Sequence, residues 1–252
     1  SQGAASYLSA ARSGATFVRD HLWQPGPGTL LRRYRDGHAE IEGYAEDYAY
    51  LIFGLIELFQ ADGDPSWLDW AVTLQRRQDE LFWDDEDGGW FSTTGRDPRV
   101  LLRMKEDYDG AEPTASSVSV MNLLMLSHLV EDRGWEEKID RTLRLFGARL
   151  EQIGRAAPMM AAALSTYVSG AQQIVLVGTG SARAALGRVV ARKYLPFAVT
   201  IEIRDEFRGR LVDRLPFLAS MLPEDGGAAA YVCRNFACQA PVGDPATLEG
   251  ML

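Results

Sequence analysis

Cysteine is scarce in this sequence: Cys233 and Cys238 are the only two in 252 residues. Two thiols exclude a disulfide framework and cannot by themselves complete a structural zinc site, which takes four ligands. So little cysteine makes a reducing compartment the default, and a cytoplasmic location is expected. Basic residues are in deficit, 26 Lys and Arg against 35 Asp and Glu, for a formal net charge of -9. That balance repels a nucleic-acid backbone or an anionic membrane surface, and no run of Lys and Arg interleaved with aromatics offsets it, so neither is expected as a partner. No apolar stretch reaches the ~20 residues needed to cross a bilayer. Residues 1–11 lack the charged-then-apolar order of a signal peptide. Histidine is limited to His21, His38 and His128, and no two of them share a metal or acid–base motif. No metal and no other cofactor is expected.

What the chain does have is helical periodicity. Residues 43–59 carry Tyr44, Tyr48, Leu51, Leu55 and Leu58 on one stripe and Ala45, Ala49, Ile52, Ile56 and Phe59 on a second. A helix apolar over so much of its circumference must be covered on two sides. Residues 65–83 have one apolar face, Trp67, Trp70, Ala71, Leu74 and Leu81, opposite a charged one, and Asp64-Pro65 is a suitable start. The alternation repeats: 114–130 is apolar on two sides, 135–150 on one, and 156–168 nearly all round. Inner helices in alternation with outer ones describe an (α/α) toroid, although a flat solenoid of helix pairs would alternate in the same way. The first helix, residues 4–22, has a single stripe and reads as an outer helix without an inner partner before it. After Gly170 the pattern changes. Residues 173–177 form a buried-strand run, 181–193 an amphipathic helix, and 197–203 an alternating strand, which together predict a βαβ unit. A third strand is expected at 228–233 after a turn at 223–227.

Several motifs now carry a resemblance. They are Glu46-Asp-Tyr-Ala49 with Gly54-Leu-Ile-Glu-Leu58, Trp67-Leu68, Asp87-Gly-Gly-Trp-Phe91, Arg103-Met-Lys105, Asp109-Gly-Ala-Glu-Pro113, Asn122-Leu-Leu124, and Tyr231-Val-Cys-Arg-Asn-Phe-Ala-Cys238 with Pro241. In this order, from about residue 8 to the end, the chain resembles the C-terminal part of the spermatogenesis-associated protein 20 family. The resemblance implies a six-hairpin toroid similar to sugar epimerases and glycosidases, preceded in the family by a thioredoxin-like domain. That domain and the first hairpins lie outside this chain. One departure stands out: Thr114-Ala-Ser-Ser117 occupies the place of the family's Ser-Gly-Asn-Ser, so a ligand held by that asparagine would be lost here.

The fold class expected is therefore mainly α: a partial (α/α) toroid of the six-hairpin type with a small βαβ element near the C-terminus. Residues 1–252 are read as one domain, with helical hairpins in 1–170 and the βαβ unit and tail in 171–252. An open ring leaves inner helices uncovered. The chain alone is therefore expected to associate, or to expose an apolar groove beside residues 43–59, with the missing N-terminal segment of the same protein as its partner.

The polar groups at the inner-helix entries are the candidate site. Glu46, Asp47, Asp109 and Glu112 are the candidate catalytic carboxylates, since paired carboxylates serve as acid and base in sugar chemistry. Glu42, Tyr44, Trp90, Arg103 and Lys105 are the candidate substrate-binding residues, with the aromatics as platforms for a pyranose. The same residues also suit plain helix chemistry: Glu46 and Asp47 are first-turn acids favoured by the dipole, and Arg103 and Lys105 have acids near to pair with. His128 is expected in the core and His38 in a surface turn at Gly37. Gly178-Thr-Gly180 opens a helix after a strand, but it lacks the third glycine of a dinucleotide fingerprint and reads as a tight turn. Cys233 and Cys238 form a candidate redox pair, close enough to bridge if the chain turns at 234–235, although two partly buried free thiols packing the tail is the plainer expectation. Two functions are consistent with all this: a carbohydrate-binding or carbohydrate-modifying toroid, or a non-catalytic scaffold serving a thioredoxin-like redox domain. Whether the chain is an enzyme is left open by its sequence.

Overall fold

A computed structural model describes residues 2–96, 98, 100–223, 227–234 and 237–252. It is mainly α, with a small sheet near the C-terminus. Helix α1 (Gln2–His21) leads into three short strands, β1 (Trp23–Gln24), β2 (Thr29–Arg35) and β3 (His38–Glu42). Helices α2 (Ala45–Asp62), α3 (Pro65–Phe82), α4 (Ala115–Ser127), α5 (Arg133–Ile153) and α6 (Pro158–Ser169) follow.

The helix boundaries have local causes. Asp64 accepts from the Ser66 N–H at 3.0 Å with Pro65 in the first turn of α3, Thr114 caps α4 through the Ser117 N–H, and Asp132 caps α5 through the Gly134 N–H. Helix α2 ends at Gly63, whose φ of 74° would strain any other residue. A Cβ there would also lie 2.7 Å from the Glu202 carbonyl oxygen.

Packing reproduces the expected alternation. Helix α2 packs on α3 and α4, and α4 packs on α5 and α6, so α2, α4 and α6 form an inner row with α3 and α5 outside. Helix α2 buries both of its stripes, including Tyr48, Ile52, Leu55, Ile56, Leu58 and Phe59, whereas α5 buries one, Trp135, Ile139, Leu143 and Phe146. Burying each such side chain contributes about 1.5–3 kcal/mol. Polar ties cross the inner row: the Gln78 amide donates to the Ala45 carbonyl and the Ser119 hydroxyl, each at 2.9 Å, and the Asn122 amide donates to the Ala49 carbonyl at 2.8 Å. Helix α6 ends the row. It fully buries only Met160, Ala163 and Thr166, and Val168 is 76% exposed.

The C-terminal part contains β4 (Gln172–Gly178), α7 (Gly180–Val190), β5 (Ala198–Glu202), α8 (Arg208–Arg214), β6 (Ala228–Arg234), β7 (Ala237–Cys238) and α9 (Pro245–Met251). Strands β4 and β5 are parallel, as a βαβ unit requires, and the sheet order is β5-β4-β6-β7 with β6 antiparallel to β4. Side chains alternate between its faces. Val175, Val177, Val199, Ile201, Ala229 and Cys233 join the helical core. Ile174, Leu176, Ala228, Ala230 and Val232 form a second, smaller core with Leu186 of α7 and Leu248 of α9. Gly178 has φ 104°, and a Cβ on it would sit 2.2 Å from the Gly227 carbonyl oxygen, so Gly178-Thr-Gly180 is a tight turn dictated by close chain approach. The turns expected at 223–227 and 234–235 extend outside the described residues.

Two expectations need correction. Residues 43–59 are not an exposed groove. The sheet folds back on α2, where the Thr200 N–H donates to Gln60 Oε1 at 2.9 Å and Arg204 donates to the Ala61 carbonyl at 3.2 Å. His38 is exposed and flanks the turn at Gly37, as expected: β2 and β3 pair with Arg35 opposite His38 across Asp36-Gly37, both at positive φ. The two cysteines are not free. Strands β6 and β7 place Cys233 directly opposite Cys238, and the pair is a disulfide. Among the described residues, no helix is long and apolar enough to cross a membrane.

Candidate functional site

The start of α2 is a charged cluster. The Asp47 carboxylate accepts from the Tyr44 N–H at 2.8 Å, fixing the first turn. Arg32, on β2, reaches over the same turn, 3.8 Å from Glu46 and 3.5 Å from Asp47, with its guanidinium 4.1 Å above the Tyr44 ring. Burial pushes the Glu46 carboxyl above its ordinary range, Asp47 adds to the rise, and Arg32 opposes it. Glu106 and Glu112 add smaller increments of the same sign, so Glu46 faces further acids across the entry. Tyr50 lies within the same field: burial raises its phenol, and Glu112, Asp109 and Glu46 each add to the rise. Its hydroxyl donates to the Pro113 carbonyl at 3.0 Å.

The second group is held from within. The Asp109 carboxylate accepts the Thr114 N–H and the Met159 N–H, each at 2.8 Å, through different oxygens, so one buried acid ties the starts of α4 and α6 together. Arg103 donates to the Thr93 carbonyl at 2.9 Å and lies 4.1 Å over the Phe91 ring. Lys105 donates to Asp84 at 2.6 Å and to the Gly88 carbonyl at 3.0 Å. Burial alone would raise Asp84, but the Lys105 bond together with the Glu86 and Asp87 N–H groups outweighs it and holds the carboxyl low. Trp90 is 1% exposed, and its indole N–H donates to Asp79 at 3.0 Å. Trp90 is therefore core and cannot serve as a sugar platform. The Ser116 hydroxyl accepts from the Trp90 N–H at 3.1 Å.

The geometry thus separates the candidates. Glu46, Asp47, Asp109 and Glu112 gather at the inner-helix entries, where the Ala45 N–H also bonds the Ser92 carbonyl and the Ser92 N–H the Met104 carbonyl. Glu42 and Tyr44 line an open cleft of about 490 Å³ with Gly43, Thr93, Thr94 and Arg96. Tyr44, 39% exposed, is its accessible aromatic face. Arg103 holds the Thr93 carbonyl at the wall of this cleft, whereas Lys105 and Glu112 line a second open cleft of about 460 Å³ with Glu106 and Tyr108. Cys233 and Cys238 belong to the C-terminal sheet and not to this cluster. Sequence reasoning missed Arg32 and Glu106. Arg32 is legible only once β2 is known to pass over α2, and Glu106 sits in a segment without periodicity. Among the described residues, no group of three or more His, Cys, Asp or Glu is suited to hold a metal ion.

No family model matches the chain. Among characterised proteins it is similar to spermatogenesis-associated protein 20 of Homo sapiens, 36% identical over 256 residues, which covers 97% of this chain. The protein of the same name from Mus musculus is 36% identical over 261 residues, covering 99% of this chain. An uncharacterised protein of Caenorhabditis elegans is 34% identical over 248 residues, covering 94%. The chain spans 33% of the length of each of these relatives.

Proposed function

Because the chain belongs to the spermatogenesis-associated protein 20 family and spans a third of its relatives' length, we propose that it is part of an (α/α) toroid whose inner-helix entries bind a carbohydrate or a similar polyhydroxylated ligand. The observation that carries this reading is Glu46. Its carboxyl is half-buried and raised, it faces Glu106 and Glu112, and it lines a small pocket of about 10 Å³ with Ser92 and Glu106, two residues along α2 from Tyr44 of the larger cleft. Carboxylates accept hydroxyl hydrogen bonds, and a raised carboxyl is suited to donate a proton to a leaving oxygen. Any chemistry would use Glu46 as the acid and Glu112 as its partner. Asp109 is committed to the backbone and serves as a positioning residue. A cytoplasmic location belongs to the same proposal.

A second reading, a scaffold for a thioredoxin-like domain, draws on a different observation: Arg103, Lys105, Asp109 and Trp90 are all spent on contacts within the chain. Calorimetric titration with a panel of mono- and disaccharides separates the two. The carbohydrate reading expects saturable binding that Glu46→Gln weakens about tenfold or more, the loss of one charge-assisted hydrogen bond. Absence of saturable binding to every sugar, with the circular dichroism of a helical protein retained, would reject it in favour of the scaffold.

A further inference from the structure

The Cys233–Cys238 disulfide lies away from the helix entries, and its surroundings point to a separate role. Cys233 is 1% exposed and belongs to the main helical core, whereas Cys238 is exposed on β7, the outermost strand of the sheet. The bond therefore joins the core to the sheet's last strand. That strand is short: among the described residues, β7 pairs with β6 at Cys233 with Cys238 and Arg234 with Ala237. Beyond it, the Gln239 N–H bonds the Val232 carbonyl at 3.0 Å, and Ala230 and Val242 exchange two backbone bonds. The chain then closes with α9, which packs on α7. Leu248, Met251, Leu252 and Val242 fill the smaller core with Leu186 and Val190. That core shares no buried residue with the main one.

A disulfide that spans five residues closes a very short loop. Such a loop removes little entropy from the unfolded chain, so the bond is a weak global staple. Its effect is local, on a two-residue strand and on the segment that follows.

We infer that Cys233–Cys238 is a thiol–disulfide exchange site, and that its reduction by a dithiol unclasps residues 237–252 from the sheet. Cys238 is the exposed residue of the pair, so its sulfur is the one assigned to attack by an external thiolate. That thiolate bonds to Cys238 Sγ, the Cys233–Cys238 bond breaks, and Cys233 Sγ leaves as a thiolate that takes a proton from solvent. The second thiol of the dithiol, deprotonated, attacks its own sulfur in the mixed disulfide. Cys238 is released and protonated, and the dithiol ends as its own disulfide, having supplied both electrons. With the clasp open, residues 237–252 keep no covalent tie to the core, only the β7 ladder, the Gln239 and Val242 backbone bonds and the α9 packing, and α9 can leave the apolar face of α7.

Hydrogen exchange read by mass spectrometry tests this on the intact chain, oxidised and after reduction with dithiothreitol, followed by alkylation to count thiols. The expected result is two alkylated cysteines and at least tenfold faster exchange in residues 228–252 and in α7, with α2 to α6 unchanged. A Cys233→Ser/Cys238→Ser variant, which dithiothreitol cannot change, should show the reduced pattern throughout. Three results would each overturn the inference: a bond that resists millimolar dithiothreitol, reduction that leaves exchange in 228–252 unaltered, or reduction that loosens the inner helices equally. The first makes the bond inert, the second makes it ornamental, and the third makes it a global staple.

Discussion

Replacing Asp109 by alanine is expected to lower the stability of the chain by about 3–5 kcal/mol, because a buried and a part-buried amide lose a charged acceptor at once. The Thr114 and Met159 N–H groups sit in the first turns of α4 and α6, where no intrahelical carbonyl can take them. Asp109 also receives its own tie, its N–H donating to the Ala156 carbonyl at 2.8 Å, so the loop and both helices share one junction. At about 2–4 °C per kcal/mol for a protein of this size, the melting temperature should fall by roughly 6–20 °C. Asp109→Asn should cost about half as much, since an amide keeps one acceptor oxygen and turns a donor towards the other N–H. Urea unfolding of the three proteins measures the series. Loss of less than 1 kcal/mol in the alanine variant would mean that Asp109 is not the junction and would return it to the list of free carboxylates.

Asp79→Asn is expected to stabilise the protein at pH 8 by up to about 3 kcal/mol and to have little effect at pH 4. Burial pushes the Asp79 carboxyl up to about 6 from an ordinary 3.8, against the pull of Lys138 4.0 Å away and the hydrogen bonds from Trp90 and Gln75. Its side chain is only 12% exposed, so solvent screens little of this. The sign follows from the raised value. Folding favours the protonated form, so the contribution is fully present below 3.8 and is lost as pH rises through about 6. The asparagine variant carries no such charge and should show a flatter stability profile between these values. Denaturant unfolding at a series of pH values decides it. A variant less stable than the parent at pH 8 would show that the ionised carboxylate is worth more to the Trp90 and Lys138 contacts than its burial costs.

Both predictions depend on contacts that sequence alone could not reveal. The inner and outer helices were legible because doubly and singly striped segments differ over whole turns, and Asp64-Pro65 marks a start by local chemistry. The βαβ unit was legible because β4 and β5 are short apolar runs flanking an amphipathic helix. The β2–β3 pair was not, because most of its residues face solvent and only Leu30 is buried, which leaves no alternation to read. The same gap hid Arg32. Trp90 reads as a platform in the sequence because aromatic residues near carboxylates suit sugars. Its burial follows from the Asp79 acceptor on α3, a pairing no spacing rule provides. Asp109 reads as an entry carboxylate from its place before α4, but its bonded partner Met159 lies 50 residues further on. The return of the sheet onto α2 covers a helix whose two-sided pattern says only that something must cover it. A neighbouring helical hairpin and a strand of the same chain satisfy that requirement equally.

The most direct test of the carbohydrate account is a carboxyl NMR titration of Glu46 in 13C-labelled protein, with and without the sugar that binds best. The account predicts a midpoint above the ordinary glutamate value in the free protein, a further shift on saturation, and concerted movement of Tyr44 and Thr93 signals at the cleft. A Glu46 midpoint in the ordinary range, unmoved by any sugar at saturating concentration, would contradict it.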